Sequence, residues 1–320
     1  MSALILAIPS KGRLQEQSAG FLADCRLPLA LADRLYQGAL PLPGIEVRLI
    51  SASEIARTLR DGDAHVGITG EDVLRENDPD LASSILVKPL GFGRADLVLA
   101  APMSWVDVAS LADFAEVCAE HRARTGVRLR IATKYARLAR RFLDEHGVLD
   151  YRLVESLGAT EGAPAAGAAE AIIDITTSGA TLAANHLRRI PDGILLRSQA
   201  QIVASRTAKW DPATHAAFAH FLDIVEARGR AKATRLIRVA PGPQGPAPIL
   251  ERAAALGCKL AGDVEGGALL EIYCPIENVF AVCAALQQLL GGSIGVSESD
   301  FVFEQPNGVY QRFASSLCNT

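Results

Sequence analysis

Over the first two thirds of the chain, short apolar runs alternate with stretches of helical periodicity, and this alternation limits the fold more than any other feature. A short apolar run between turn residues reads as a buried strand, and the helical stripe after it returns the chain across a sheet. Strands are expected at Leu4–Pro9, Ile45–Ile50, His65–Thr69, Leu97–Ala101, Leu129–Thr133, Ala171–Ile175 and Ile194–Ala204. The pattern predicts α/β layers with largely parallel pairing. The clearest helix follows Thr133: Tyr135, Leu138, Ala139, Phe142 and Leu143 share one stripe, Thr133 can cap the start, and Gly147 marks the end. A second helix is expected over Asp211–Ala227, with Asp211 as cap and Pro212 in the first turn.

Gly229–Ala233 is small and polar and reads as a linker, after which the pattern restarts. A strand at Arg235–Ala240, a helix at Ala247–Leu256, strands at Lys259–Val264 and Ala268–Cys274, a helix at Glu277–Leu290 and a strand at Ser293–Phe303 give the order βαββαβ. That order is ferredoxin-like, and by itself it assigns no task.

The 320 residues leave room for two or three compact units, and a composition 49% hydrophobic and 21% charged supports packed cores. A net charge of −4 offers no broad attraction to nucleic acid or to an anionic membrane, so neither is an expected partner. A phosphate-rich substrate would need a local site. The apolar run Ala3–Ile8 is too short for a membrane span and has no basic segment before it, so a cytoplasmic protein is expected. Six cysteines (Cys25, Cys118, Cys258, Cys274, Cys283 and Cys318) form no C-x-x-C pair, so neither a zinc site nor a disulfide framework is expected.

Three segments carry the signals of chemistry. An apolar strand ending at Asp174-Ile175 delivers Thr176-Thr177-Ser178-Gly179-Ala180-Thr181 at a helix start. Gly179 permits a tight turn, Thr177, Ser178 and Thr181 add hydroxyls, and the inward backbone amides suit a phosphate monoester. The plain alternative is a capped βα turn. At the end of the first strand, Lys11 and Arg13 flank Gly12 where parallel strands deliver ligand loops; a point charge and a planar fork suit polyphosphate oxygens. After His65-Val66-Gly67-Ile68-Thr69-Gly70, the acids Glu71 and Asp72 open the next helix, as dipole partners or as a wall of a nucleotide pocket.

Read in order, I-P-S-K-G-R-L, V-G-I-T-G-E-D-V-L, L-G-F-G-R-A-D-L-V-L-A-A-P (90–102), R-I-A-T-K-Y (130–135) and E-G-A-P…D-I-T-T-S-G-A-T-L-A-A-N resemble the ATP phosphoribosyltransferases. The resemblance spans roughly residues 3–230. It implies a two-lobed, periplasmic-binding-protein-like catalytic region with the site between the lobes: lobe I from 1–100 and 195–230, lobe II from 101–194. Residues 234–320 would form an ACT-like domain for regulation or assembly. It further implies that phosphoribosyl pyrophosphate sits on Thr177, Ser178, Gly179, Ala180 and Thr181, with Glu161, Glu170 and Asp174 beside it. Lys11 and Arg13 would face ATP or pyrophosphate, with Glu71 and Asp72 on the cleft wall. Arg34 would reach ATP, and Arg48 stands one position from the family's arginine. Ser178, Glu170 and His186 replace the family's usual Thr, Asp and Gly.

The implied reaction is attack of adenine N1 on the anomeric carbon of phosphoribosyl pyrophosphate. N1 carries a free lone pair, so no strong base is needed, in keeping with a sequence that has no nucleophile–histidine constellation. Mg²⁺ is expected on the substrate polyphosphates with few or no protein ligands. A homo-oligomer, dimer or hexamer, is expected, with histidine as a feedback inhibitor. The loop Gly242–Pro248 lacks the hydroxyl donors of a Ser-Pro-Thr ligand loop, which points to weak inhibition and retention for assembly. The rival reading is a non-catalytic solute-binding or sensor protein of the same fold.

Overall fold

The structure is a computed structural model describing residues 2–31, 37–156, 158–243, 245–261, 269–290 and 293–318. Residues 1–215 with 313–320 form one compact unit, and residues 216–312 form another.

In the first unit, apolar alternation builds two sheets. The first contains β1 (Leu4–Pro9), β2 (Ala30–Leu31), β3 (Gln37–Ala39), β4 (Ile45–Ile50), β5 (Val66–Gly70), β6 (Ser84–Pro89) and β12 (Ala200–Ser205), in the order β2-β3-β4-β1-β5-β12-β6. The second contains β7 (Ala95–Pro102), β8 (Leu129–Thr133), β9 (Tyr151–Glu155), β10 (Ala171–Thr176) and β11 (Leu187–Ser198), in the order β11-β7-β10-β8-β9. Helices α1 (Gly12–Asp24), α2 (Ala52–Asp61) and α3 (Glu71–Asn77) belong to the first lobe. Helices α4 (Leu111–Thr125), α5 (Ala136–Glu145) and the short α6 (Ala180–Ala184) belong to the second.

Local chemistry explains the element ends. A reciprocal capping box joins Ser51 and Glu54 at the start of α2, and Gly62 ends that helix at φ +81°. A Cβ at Gly62 would lie 2.9 Å from the Thr207 carbonyl oxygen, so both conformation and space demand glycine there. Ile55, Ala56 and Leu59 on the inner face of α2 pack on Ala7, Leu74 and Val203 in one core. Phe114, Ile131, Leu143 and Ile173 anchor the second.

The pairing is mixed rather than largely parallel. β4, β1 and β5 are parallel, as are β10, β8 and β9, but β7, β11 and β12 run antiparallel to their neighbours. The physical reason lies at the crossings between sheets. β7 begins its pairing with β10 at Asp96, opposite Thr176 at the carboxyl end of β10, and β12 starts with Ala200 opposite Gly70 at the carboxyl end of β5. A strand entering from the carboxyl-end side without a crossover helix must run against its neighbour. The apolar run 194–204, expected as one strand, is for the same reason two strands in different sheets, separated at Gln199. The crossings 90–94 and 199 touch: the Leu90 amide donates to the Ala200 carbonyl and the Ala200 amide to that of Phe92, each at 2.9 Å.

Thr133 does not cap α5; its Oγ1 accepts from the Tyr135 amide one turn earlier. Asp211 does cap α7, accepting from the Thr214 amide at 2.9 Å, but α7 runs Pro212–Ala233 straight through the stretch expected as a linker. Alanines among its small polar residues are good helix formers, and the single Gly229 does not interrupt them.

In the second unit, β13 (Thr234–Val239), α8 (Ala247–Ala255), β14 (Lys259–Leu260), β15 (Leu270–Pro275), α9 (Val279–Leu290) and β16 (Gly295–Ser297) follow in the βαββαβ order. All pairings are antiparallel, in the order β14-β15-β13-β16, with Ile249, Ala253, Val282 and Leu286 of the helices on Ile237, Leu270 and Ile272. The final strand is shorter than expected, Gly295–Ser297, and a closing helix α10 (Gly308–Cys318) follows that periodicity did not flag. Residues 262–264 of the expected strand after Lys259 lie outside the described residues.

Candidate active site

The carboxyl ends of the parallel strands in both lobes face one cleft of about 280 Å³, lined by Arg13, Gln17, Asp72, Arg94, Tyr135 and Thr177 among others. Arg13 is there because β1 ends at Pro9 and α1 begins at Gly12, whose φ of +76° turns the chain back. Lys11 is the N-cap residue of α1 and lines an adjoining hollow with Ser10, Ser51 and Glu54.

From the other lobe, β10 delivers the 177–181 loop. Gly179 has φ +78°, and a Cβ there would meet nothing within 4 Å, so the demand for glycine is conformational rather than steric. The Gly179 amide donates to Thr176 Oγ1 at 2.9 Å and the Ala180 amide to Ser178 Oγ at 3.3 Å. Thr177 Oγ1 donates to the Arg94 carbonyl at 3.4 Å, tying the loop to the crossing segment. Thr181 lies in the first turn of α6. Near the carboxyl end of β10, the half-buried Asp174 accepts from the Ile175 amide at 2.8 Å. Burial, reinforced by the nearby Glu161, raises its pKa although that amide, Thr160 and Lys134 favour the charge. Glu161 sits on the 3₁₀ turn Thr160–Gly162.

The remaining acids are engaged within the protein. Asp72 is 7% exposed; its Oδ1 accepts from Ser198 Oγ and its Oδ2 from the Tyr135 hydroxyl, both at 2.7 Å. Burial and this carboxylate push the Tyr135 pKa up, keeping the phenol protonated as a donor. Glu71 is held by Arg75 at 2.7 Å and by Gln201 at 3.0 Å.

Two of the expected contacts do not join this group. Glu170 precedes the amino end of β10, where Arg130 grips it through the backbone amide at 2.7 Å and the guanidinium at 2.5 Å. Burial opposes its charge, yet Arg130 holds the Glu170 pKa below the ordinary range. Arg48 lies within β4 opposite Ala7, bonded to Glu46 Oε1 at 3.1 Å and to the Asp63 carbonyl at 3.2 Å, towards the amino end of β5. Arg34 lies outside the described residues.

A family model described as "HisG: ATP phosphoribosyltransferase" matches residues 51–226. The ATP phosphoribosyltransferase of Caulobacter vibrioides is 48% identical over 318 residues, spanning 98% of each chain. That of Bradyrhizobium diazoefficiens is 43% identical over the same length and 98% of each chain. The chain belongs to the ATP phosphoribosyltransferase family. A solved ATP phosphoribosyl transferase (HisG:HisZ) complex from Thermotoga maritima shares the fold, with a TM-score of 0.54 at 24% identity over 70% of this chain and 96% of that one.

Within this ATP phosphoribosyltransferase fold, the structure adds residues that the sequence reading left unassigned. Tyr135 and Arg94 line the cleft, and both lie inside segments that carried the resemblance, R-I-A-T-K-Y and L-G-F-G-R. Glu76, from α3 in the first lobe, caps α5 in the second by accepting from the Arg137 and Leu138 amides at 2.9 and 3.1 Å. Burial raises its pKa. No local signal marks Glu76, because its partner helix starts some sixty residues away.

Among the described residues, no group of three or more His, Cys, Asp or Glu side chains is placed to hold a metal ion, and no helix is long and apolar enough to cross a membrane.

Proposed function

We infer that the chain joins ATP to 5-phosphoribosyl 1-pyrophosphate, giving N1-(5-phosphoribosyl)-ATP and pyrophosphate, the first step of histidine biosynthesis. The observation that carries this reading is that Arg13 of one lobe and Thr177 of the other line a single cleft. The phosphoribosyl 5′-phosphate sits on Thr177–Thr181, exchanging the weak Ser178–Ala180 contact for its own hydrogen bonds. Asp174 and Glu161 lie towards the ribose, and Lys11 and Arg13 towards the polyphosphates. Asp72 acts through Tyr135 and Ser198, fixing the wall against which adenine lies. The cleft's task is to hold two anionic substrates in line and to stabilise the leaving pyrophosphate. Mg²⁺ carried on the substrate polyphosphates would neutralise part of their charge.

Residues 1–100 with 195–230 serve as one catalytic lobe and 101–194 as the other, and 234–320 as an ACT-like domain. The chain works in the cytoplasm as a homo-oligomer. Support for assembly comes from apolar side chains left at the surface, Phe280 at 89% and Phe303 at 61% exposure. The hollow between the 242–248 loop and α9 is lined by Gly242, Pro243, Gly245, Pro248, Ile249, Leu289 and Leu290. These residues bring no charge or hydroxyl, so histidine binds weakly there and inhibits only at high concentration.

Incubation with phosphoribosyl pyrophosphate and either ATP or free adenine tests the reaction. Phosphoribosyl-ATP and pyrophosphate are expected from ATP alone; turnover of adenine only, or of neither, overturns it. Histidine titrated into the full-length enzyme tests the regulatory part, and strong inhibition at low concentration counts against it.

A further inference from the structure

Six cysteines scattered along the sequence give no disulfide pattern, yet the second unit brings three of them into one core, Cys274 fully buried with Cys258 and Cys283 packed beside it. The register between β14 and β15 places two of them face to face. Lys259 pairs with Tyr273 and Leu260 with Ile272, so one step outward sets Cys258 opposite Cys274. The Ala261 amide donates to the Glu271 carbonyl, which makes 261–271 a hydrogen-bonded pair. Hydrogen-bonded and open pairs alternate along an antiparallel ladder, so 258–274 falls at an open position, where Cα atoms stand about 4.5 Å apart and side chains lean together. That separation lies at the short end of the range of roughly 4.4–6.8 Å that a disulfide spans. The Cys274 thiol donates to the Pro275 carbonyl at 3.3 Å.

Cys258 is held in place from its own side. Gly257, at φ +76°, closes α8, and the Cys258 amide donates to the Ala253 carbonyl at 3.0 Å. Asn278 Nδ2 donates to the Leu256 carbonyl at 3.0 Å, anchoring the same corner to the segment after β15.

We propose that Cys258 and Cys274 form a reversible cross-strand disulfide, a modification site that makes the second unit sensitive to thiol oxidants. The co-reactant is a small-molecule disulfide. The half-buried Cys258 loses its proton to solvent, its thiolate attacks one sulfur of the oxidant, and the other sulfur leaves as a thiolate that takes up a proton. The buried Cys274 thiol then attacks the Cys258 sulfur of this mixed disulfide, and its proton passes to the second thiolate as that leaves. Two protein thiols are thus oxidised while one small disulfide is reduced to two thiols. The half-buried Cys258 leaves one end of the bond open to attack by thiols, which suits a reporting pair rather than a permanent staple. Burial raises the Cys258 pKa and pushes that of Cys274 up to about 12, so thiolate is scarce at neutral pH and the reaction accelerates as pH rises.

The test uses the full-length protein, treated with oxidised glutathione, alkylated, digested and examined by mass spectrometry. The exposed Cys318 serves as the internal control for oxidant access. The expected product is a linked pair of peptides carrying Cys258 and Cys274, lost on mild reduction, with formation faster at pH 9 than at pH 7. Cys283→Ser should retain the link, and Cys258→Ser should abolish it while leaving secondary structure unchanged by circular dichroism. The proposal is overturned if Cys258 and Cys274 both remain alkylatable when Cys318 has reacted. It is equally overturned if Cys274 links to Cys283, or if Cys258 stops at a stable mixed disulfide with glutathione.

Discussion

The two ends of strand β10 carry carboxylates four residues apart along the chain, and they behave in opposite ways. Glu170, just before the amino end, is clamped by Arg130 and held easily ionised; Asp174, near the carboxyl end, is half-buried and resists ionisation. The first lobe repeats the contrast with cations: Arg13 beyond the carboxyl end of β1 lines the cleft, whereas Arg48 within β4 bonds to Glu46 and Asp63. Residue type alone does not separate a binding group from a structural clip. Strand polarity does, because loops after parallel strands collect on one side, where the cleft lies.

The sharpest way to break this comparison is at Gly179. Gly179→Val forces a β-branched residue to φ near +78° at the head of the cradle, and phosphoribosyl transfer should fall by more than about 100-fold. Because a Cβ meets nothing within 4 Å, the fold should survive by circular dichroism. A folded variant with normal turnover would remove the cradle from the site. Next come the cations at the carboxyl end. Lys11→Ala or Arg13→Ala should each cost about 1.5–3 kcal/mol in kcat/KM, roughly 10- to 150-fold, as expected for hydrogen bonds to charged groups. Unchanged steady-state kinetics in both would return them to an exposed turn.

The carboxylate pair makes a pH prediction with two signs. Asp174 has a raised pKa, so the cost of its charge is present above the folded pKa and relieved as pH falls. Asp174→Asn should therefore be no less stable than the parent at pH 7 while kcat/KM drops about tenfold or more. Glu170 has a lowered pKa, so its contribution is present above the unfolded value of about 4.3 and is lost as pH falls through the folded one. Glu170→Gln should lose about 1–2 kcal/mol at pH 7, since the pair is partly exposed, and nothing once the parent carboxylate is protonated. Urea titrations at several pH values check both slopes; parallel slopes would dissolve the distinction between the two ends. The smallest effect belongs to Arg48→Ala, whose ion pair is 39% and 42% exposed: at most about 1 kcal/mol of stability, with kcat/KM within twofold. A large kinetic defect would place Arg48 in the site.

What the sequence determined by itself is everything governed by short-range patterns. Period-two and period-3.6 apolarity marked β1, β4, β8 and α5 within a residue or two, the βαββαβ order of the second unit was legible, and Asp211 was identifiable as a cap. Gly12 and Gly179 announced turns that take positive φ, and the motif blocks pointed to the cleft. Only the tertiary structure decided the rest, because those features depend on which segments meet. At 194–204 the polar stretch Arg197-Ser198-Gln199 interrupts the apolar pattern, but only the strand pairing shows that Gln199 passes between sheets, with Ile194–Leu196 partly buried in one and Ala200–Ala204 fully buried in the other. Glu170 and Asp174 look alike in the chain, and Arg130 sorts them only when β8 and β10 pair. Glu76 caps a helix of the other lobe, and Cys258 packs against the core that holds Cys274. Each is a long-range pairing set by sheet register and lobe packing, which local propensity does not encode.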